Sequence, residues 1–241
     1  GQRIRLEKND LEWRVVNPVN LRASGGRVQT MIQTWLDASI ESFRGKAGEN
    51  AVVGSTVQFG YGDAGEFVQF DVMKDDGQPG RAVLRKKGEE GLLQVVPDLV
   101  RFSPVEVLPY LSRQVLSFNP DLAVRVSLTL GEKSSVVSRE SSEHPWKPLD
   151  SGTEVNPKAI ESVLEAFSSI YAQSLVELNP KDLTSYGLEQ PHIRLSIGLG
   201  GEQPSNRTLL LSKKSEEGTV FGIVQGQPLV FSQFLPELEW L

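Results

Sequence analysis

Lys213-Lys214-Ser215-Glu216-Glu217-Gly218 repeats, with one change, the earlier run Lys86-Lys87-Gly88-Glu89-Glu90-Gly91. The offset that carries Gly91 to Gly218 also carries Phe59-Gly60 to Tyr186-Gly187. It sets Val68, Phe70 and Val72 on Leu195, Ile197 and Leu199. An alternating apolar segment keeps its phase in both places, the mark of a strand with one buried face. Working outward, the stretch from Trp146 to Ser232 has a degenerate second copy from Trp13 to Ser103. A duplication of that length decides the architecture before any single motif does.

Upstream the offset grows, because the first copy carries extra residues around Gly45 to Asn50. Val28, Met31, Ile32 and Trp35 then fall on Ile160, Val163, Leu164 and Phe167, the spacing of an amphipathic helix. In the second copy Asn156 suits the N-cap, Pro157 sits at N1 where its missing N–H costs nothing, and Val155 can staple to Ile160. Ser24, Ala23 and Val28 take the same three roles in the first copy, with Gly25 and Gly26 as weaker helix starters. Trp13 and Trp146 precede these helices at similar distances, each after a short extended run.

A chain of 241 residues accommodates two lobes of ordinary size, and 39% hydrophobic residues suffices for a core. The net charge of −6 opposes nonspecific attraction to nucleic acid or anionic lipid, and no basic block has aromatics interleaved. Without cysteine there is no disulfide framework, thiolate metal site or cysteine nucleophile, a composition at home in cytosol and bacterial envelope alike. No apolar run approaches the ~20 residues a membrane helix requires. The start at Gly1-Gln2, without methionine, reads as processed or engineered, so that a signal or anchor would have been removed.

Taken in order, Ile4 to Lys8 and Trp13 to Val16 read as strands, followed by a helix from Gly25 to about Phe43 and a loop over Gly45 to Gly54. Phe67 to Met73, Ala82 to Arg85 and Leu92 to Val96 form an antiparallel meander turned at Asp75-Asp76-Gly77 and Lys87-Gly88. Ser103-Pro104-Val105-Glu106 is a capping box opening a short helix to about Leu111. Asn119-Pro120-Asp121 is a turn, and Val124 to Leu130 pairs with Ser134 to Ser138, whereas the first copy has only the partner strand. The second copy then brings a helix from Pro157 to about Val176, a turn at Asn179-Pro180, and strands near Ile193 to Leu199, Thr208 to Ser212 and Thr219 to Val224. Phe231-Ser232 echoes Phe102-Ser103 and opens a terminal turn ending at Trp240-Leu241.

Leu183-Thr184-Ser185-Tyr186-Gly187-Leu188-Glu189-Gln190-Pro191, leading into the alternating strand, resembles the uncharacterised bacterial family known as domain of unknown function family 4340. That family's pattern is a tryptophan after a charged strand, a helix, and a tyrosine-glycine-leucine-x-x-proline turn into a meander. Trp146, Tyr186, Gly187, Leu188 and Pro191 match it, while the first copy keeps only the aromatic and the glycine, with Phe59, Gly60, Tyr61 and Ala64 at the aligned positions. The resemblance implies an extracytoplasmic, often membrane-anchored protein, with relatives encoded beside auxiliary components of ABC-type transport or gliding machinery. It supplies no catalytic residues. In physical terms, Gly187 suits a left-handed backbone, Pro191 a strand start, and Tyr186 a ring packed under the turn rather than a catalytic phenol.

Candidate chemistry is sparse. His144 lies in a polar turn before Pro145 and His192 at a strand start, neither with a histidine or acidic cluster at ligand spacing. Asp75-Asp76, Glu89-Glu90 and Glu216-Glu217 are adjacent carboxylates, which point apart on a strand or turn and suit hairpin tips better than a glycosidase pair. Lys86-Lys87 and Lys213-Lys214 make small positive spots beside them. There is no G-x-S-x-G elbow, Gly198-Leu199-Gly200-Gly201 reads as a hairpin turn and not a phosphate loop, and Asn206-Arg207-Thr208 is a sequon by pattern alone.

The expectation is therefore an α+β protein of two tandem pseudo-symmetric repeats, each a helix packed on an antiparallel β-meander. Residues 1–111 form the first repeat, lacking its first hairpin strand, and residues 112–241 the second. The lobes are either beads on a short linker or one continuous layer joined through the Val124 to Ser138 hairpin. Function is expected to be that of a non-enzymatic binding or scaffold module of the bacterial envelope, extracytoplasmic and auxiliary to transport or gliding, with another envelope protein as partner. No cofactor, metal or nucleic acid is expected, and the membrane only through an anchor before Gly1. A groove between lobes or an unpaired sheet edge would be the binding surface. The alternatives are a hydrolase of an envelope polymer with carboxylates from both lobes, and a cytosolic binder of a small ligand. The residues singled out, Trp13, Trp146, Tyr186, Gly187, Leu188 and Pro191, are structural.

Overall fold

The computed structural model describes residues 3–44, 52–61, 65–73, 82–88, 92–95, 106–149 and 155–234. The fold is α+β, mostly antiparallel sheet with two α-helices among these residues. The chain divides into two compact units, Gly1–Tyr110 and Leu111–Leu241.

The first unit opens with β1 (Arg5–Asn9), β2 (Glu12–Asn17) and β3 (Leu21–Arg22), a small antiparallel sheet turned at Asp10, whose φ is 52°. Helix α1 (Gly25–Leu36) follows, with Val28 and Met31 buried. It ends seven residues before the expected Phe43. Gln33 donates its side-chain amide to both carboxylate oxygens of Asp37, at 2.9 and 3.0 Å, closing the last turn. Beyond it the β-branched Ile40 and aromatic Phe43 favour extended backbone, and residues Ile40–Arg44 form β4 instead.

Next come β5 (Val53–Tyr61), β6 (Glu66–Met73), β7 (Ala82–Lys86) and β8 (Leu92–Val95), in a five-stranded sheet of order β4-β8-β7-β6-β5. The last four run as a meander, and β4 lies antiparallel beside β8. Trp35 of α1 seats on one face of this sheet, 5.2 Å from the Phe59 ring and 5.8 Å from Phe70, over buried Ala82 and Leu84. The opposite face carries a polar row in which Asp71 accepts from Arg85 at 2.8 Å and from Thr56 at 3.1 Å.

Three expectations here need correction. Val53 and Gly54 belong to β5 and not to a loop, and Phe59-Gly60 lies within that strand, not in a turn like Tyr186-Gly187. The described end of the expected Ser103 helix is a single 3-10 turn, Leu108–Tyr110, and Ser103 to Val105 of the capping box lie outside the described residues, as do Asp75-Asp76-Gly77 and Glu89-Glu90.

The second unit begins with β9 (Gln114–Ser117) and a 3-10 turn at Pro120–Leu122, capped by Asn119. The hairpin of β10 (Ala123–Leu130) and β11 (Lys133–Ser138) follows, then the two-residue β12 (Lys147–Pro148). Helix α2 (Pro157–Phe167) starts as expected, with Asn156 Oδ1 accepting from the Ala159 N–H at 3.3 Å and Pro157 in the first turn. Ser24 occupies the same extended N-cap position before α1 without a side-chain cap bond. Val163, Leu164 and Phe167 are buried.

Like α1, α2 stops short, at Phe167 and not near Val176. The Ser168 hydroxyl donates to the Glu165 carbonyl at 2.9 Å and the chain leaves as β13 (Ser169–Tyr171), paired with β9. Strand β14 (Ser174–Leu178) follows, then the meander of β15 (Ile193–Leu199), β16 (Ser205–Leu211), β17 (Thr219–Val224) and β18 (Leu229–Phe234). Phe231-Ser232 therefore lies inside β18 and opens no turn.

These form an eight-stranded sheet of order β12-β11-β10-β15-β16-β17-β18-β14. The Val124 to Ser138 hairpin enters this sheet through β10, which lies antiparallel along β15. Every strand of this sheet is drawn from the second unit.

Counted along the two meanders, the offset that matched Gly91 to Gly218 is one strand out. It sets β6, second of its meander, on β15, first of the other, and equates the tip after β7 with the tip after β16. Both tips share lysines, glutamates and glycine because exposed turns of any hairpin favour such residues.

Candidate functional site

The turn between β14 and β15 is built as a plug. Asp182 accepts from the Thr184 N–H at 2.8 Å, which holds its carboxyl below the usual carboxylate range, and a 3-10 turn Thr184–Tyr186 follows. Gly187 closes it at φ 66°, a left-handed conformation that a side chain would strain. Its N–H donates to the Thr184 carbonyl at 2.9 Å and that of Leu188 to Leu183 at 3.0 Å. These bonds point Leu188 into the sheet, where it is 1% exposed against Ile223 and Val230. The Tyr186 ring meets Phe221 edge-on at 5.3 Å.

The Tyr186 hydroxyl donates to Glu177 Oε2 of β14 at 2.6 Å, and that carboxylate pushes the phenol above the ordinary tyrosine range. A phenol so held is a poor proton donor at neutral pH, while it ties the plug to the sheet's edge strand. Glu189 in turn accepts from the Thr184 hydroxyl at 2.7 Å. Pro191 stands two residues ahead of β15, in the lead-in and not at the strand's first residue.

The other singled-out residues fall elsewhere. Trp13 is half-buried in β2, its carbonyl accepting from the Ala23 N–H at 2.8 Å. Trp146 is buried just before β12, with the Arg139 guanidinium 4.5 Å over its ring. Arg139 also donates to the Ala123 carbonyl at 2.7 Å, so it ties β10 to the β11–β12 connection. Sequence reading missed Arg139 and Glu177. Glu177 lies just past the expected helix end near Val176, and its bond to Tyr186 across a turn leaves no local pattern in the sequence.

His144 bonds Ser141 through Nδ1 at 2.8 Å and lies 3.7 Å from Glu140, whereas His192 is exposed at the foot of β15. Glu216 and Glu217 lie exposed at the β16–β17 tip beside exposed Lys213 and Lys214. Among the described residues no group of three or more histidines and carboxylates could hold a metal ion. No described helix is long and apolar enough to cross a membrane.

The sheet edges differ in how they are finished. In the second unit, β12 is two residues long and consists of lysine and proline, and β14 carries Glu177 and a register shift. In the first unit, β4 is short and carries Glu41, Arg44 and a register shift. All three have the features that discourage edge-to-edge pairing. Strand β5 has few of them. It is nine residues long, carries no charge from Val53 to Tyr61, and exposes both of those end residues, with a register shift only at its start.

Residues 146–232 match the model of the family described as Domain of unknown function (DUF4340). The match runs from Trp146 to Ser232 and so takes in α2, the Tyr186 plug and most of the meander that the plug covers. It spans less than half of the chain. Of the residues that resembled DUF4340 in the sequence, Tyr186, Gly187 and Leu188 close the plug, while Trp146 lies just before β12 and Pro191 in the lead-in to β15. No curated protein and no solved structure matches the chain.

Proposed function

We propose that this chain is a non-enzymatic binding or scaffold module of the bacterial cell envelope, made of two copies of one unit. The duplication is supported by chain order. In the first unit α1 leads to β4, in the second α2 leads through β13 to β14, and a four-stranded meander then returns its last strand beside β4 and beside β14 respectively. An antiparallel arrangement with the same crossover, reached twice in one chain, is economically explained by copying.

The binding reading rests chiefly on β5, a long uncharged edge of the kind that recruits an added strand. It is also supported by how the described polar groups are used. Tyr186 is bonded to Glu177, Glu189 to Thr184 and Asp71 to Arg85, so each is engaged in holding the fold. The envelope setting, with a role auxiliary to an ABC-type transport or gliding system, follows from the DUF4340 resemblance alone. Mild crosslinking in native membranes, followed by purification, tests the proposal. A specific second envelope protein should be recovered, and recovery of the monomer alone would contradict it.

A further inference from the structure

Strand β15 opens the meander of the second unit, and its outer side is filled along its whole length by β10, from Ala123 against Leu199 to Leu130 against Ile193. Strand β5 opens the meander of the first unit. Among the described residues its outer side has no strand, and its one ladder partner is β6. The two faces of β5 differ in chemistry. Val57 and Phe59 lie on the face covered by Trp35, where they are half-buried, whereas Thr56 and Gln58 share the opposite face with Asp71 and Gln69.

We propose that the outer edge of β5 takes up an extended segment of a partner protein as an added antiparallel strand, in the way that β15 takes up β10. This rests on the binding-module reading and specifies its surface and ligand. The ligand is a stretch of about eight residues with aliphatic side chains at alternate positions beside Val57, Phe59 and Tyr61 and uncharged polar ones between. Main-chain hydrogen bonds supply most of the attraction, and the alternation fixes the register. Charge on the incoming strand is not matched by any on β5, which argues for an uncharged segment over an acidic or basic one.

The test uses the full chain and a synthetic peptide of the β10 sequence, Ala123 to Leu130, with Arg125→Gln to leave it uncharged, and a scrambled peptide as control. Binding should slow amide hydrogen exchange in β5 by about tenfold and leave β15 unchanged. Gln58→Lys with Tyr61→Lys, both at exposed positions, should weaken binding by about tenfold or more while the circular dichroism stays the same. Binding that leaves β5 exchange untouched, equal binding by the double variant, or no preference over the scrambled peptide would overturn the proposal. So would a concentration-dependent dimer in which β5 is already protected, since a second copy would then be the occupant. If the double variant still recovers the crosslinked envelope partner, the module reading stands and this surface falls. If the unaltered protein recovers none, the module reading itself falls.

Discussion

Five strands of each unit, β4 to β8 and β14 to β18, follow one order and differ in how it is closed. In the second, β10 covers the strand that opens the meander, and the Tyr186 plug covers one face with Leu188 buried at 1%. In the first, the corresponding strand β5 stands at the sheet's edge, and the segment between β4 and β5 lies almost wholly outside the described residues. Among the described residues the exposed large apolar side chains are more numerous in the first unit, Leu11, Phe43 and Tyr61 among them, although Leu149 and Tyr171 of the second are also more than half exposed. The difference teaches that one strand order can have its opening strand covered on both sides in one place and, among the described residues, paired on one side only in another.

The sharpest way to break that contrast is to open the closed unit. Leu188→Ala removes a side chain buried against Ile223 and Val230, and should cost about 2–5 kcal/mol in chemical denaturation. A loss within the noise of a surface substitution would mean that the plug does not close the sheet. Gly222→Ala comes next. A methyl there would collide with the Phe231 ring and stand 2.8 Å from Leu211 Cδ2, so overpacking should cost about 1–3 kcal/mol. Wild-type stability would show that this face is looser than the structure has it.

In the first unit the expected effects are smaller. The Arg85 guanidinium beside Asp71, helped by Thr56 and Gln69, holds the carboxyl below its ordinary range. That stabilisation is present above the unfolded-state pKa and fades as pH falls through the folded one. Asp71→Asn should therefore lower stability by about 0–1 kcal/mol at neutral pH and flatten the acid limb of the stability profile. An unchanged acid limb would separate Asp71 from acid sensitivity.

The smallest effect at neutral pH belongs to Tyr186. Its phenol is raised by the Glu177 carboxylate, so the stabilisation is present below the ordinary phenol pKa and is lost as pH rises through the folded one. Glu177→Gln should move one tyrosine ionisation back toward the ordinary range in an alkaline ultraviolet titration. Superimposable titrations would rule out the bond.

Much of this was legible in sequence wherever one face of an element is buried. Strands β6, β15 and β17 follow from alternation, and the cores of α1 and α2 from helical spacing. What failed did so for identifiable reasons. Ile40 and Phe43 after α1, and Ile170 three residues after Phe167 of α2, continue a helix-like spacing. The bonds of Asp37 and Ser168 help to end the helices, and β4, β13 and the start of β14 were absorbed into them. The paired tips at Lys86 and Lys213 suggested the duplication through a register that β6 and β15 do not keep, because solvent selects the same residues at any tip. The Tyr186 plug was readable from Gly187, but its anchor Glu177 was not, since a carboxylate's partner across a turn leaves no local pattern.

Amide hydrogen exchange in the unliganded protein, resolved to single residues in β5 and β15, tests most directly whether one unit is open where the other is closed. The account predicts that alternate amides of β5, those facing away from β6, exchange like exposed backbone while all of β15 is protected on both sides. Uniform protection along β5, equal to that of β15, would contradict it.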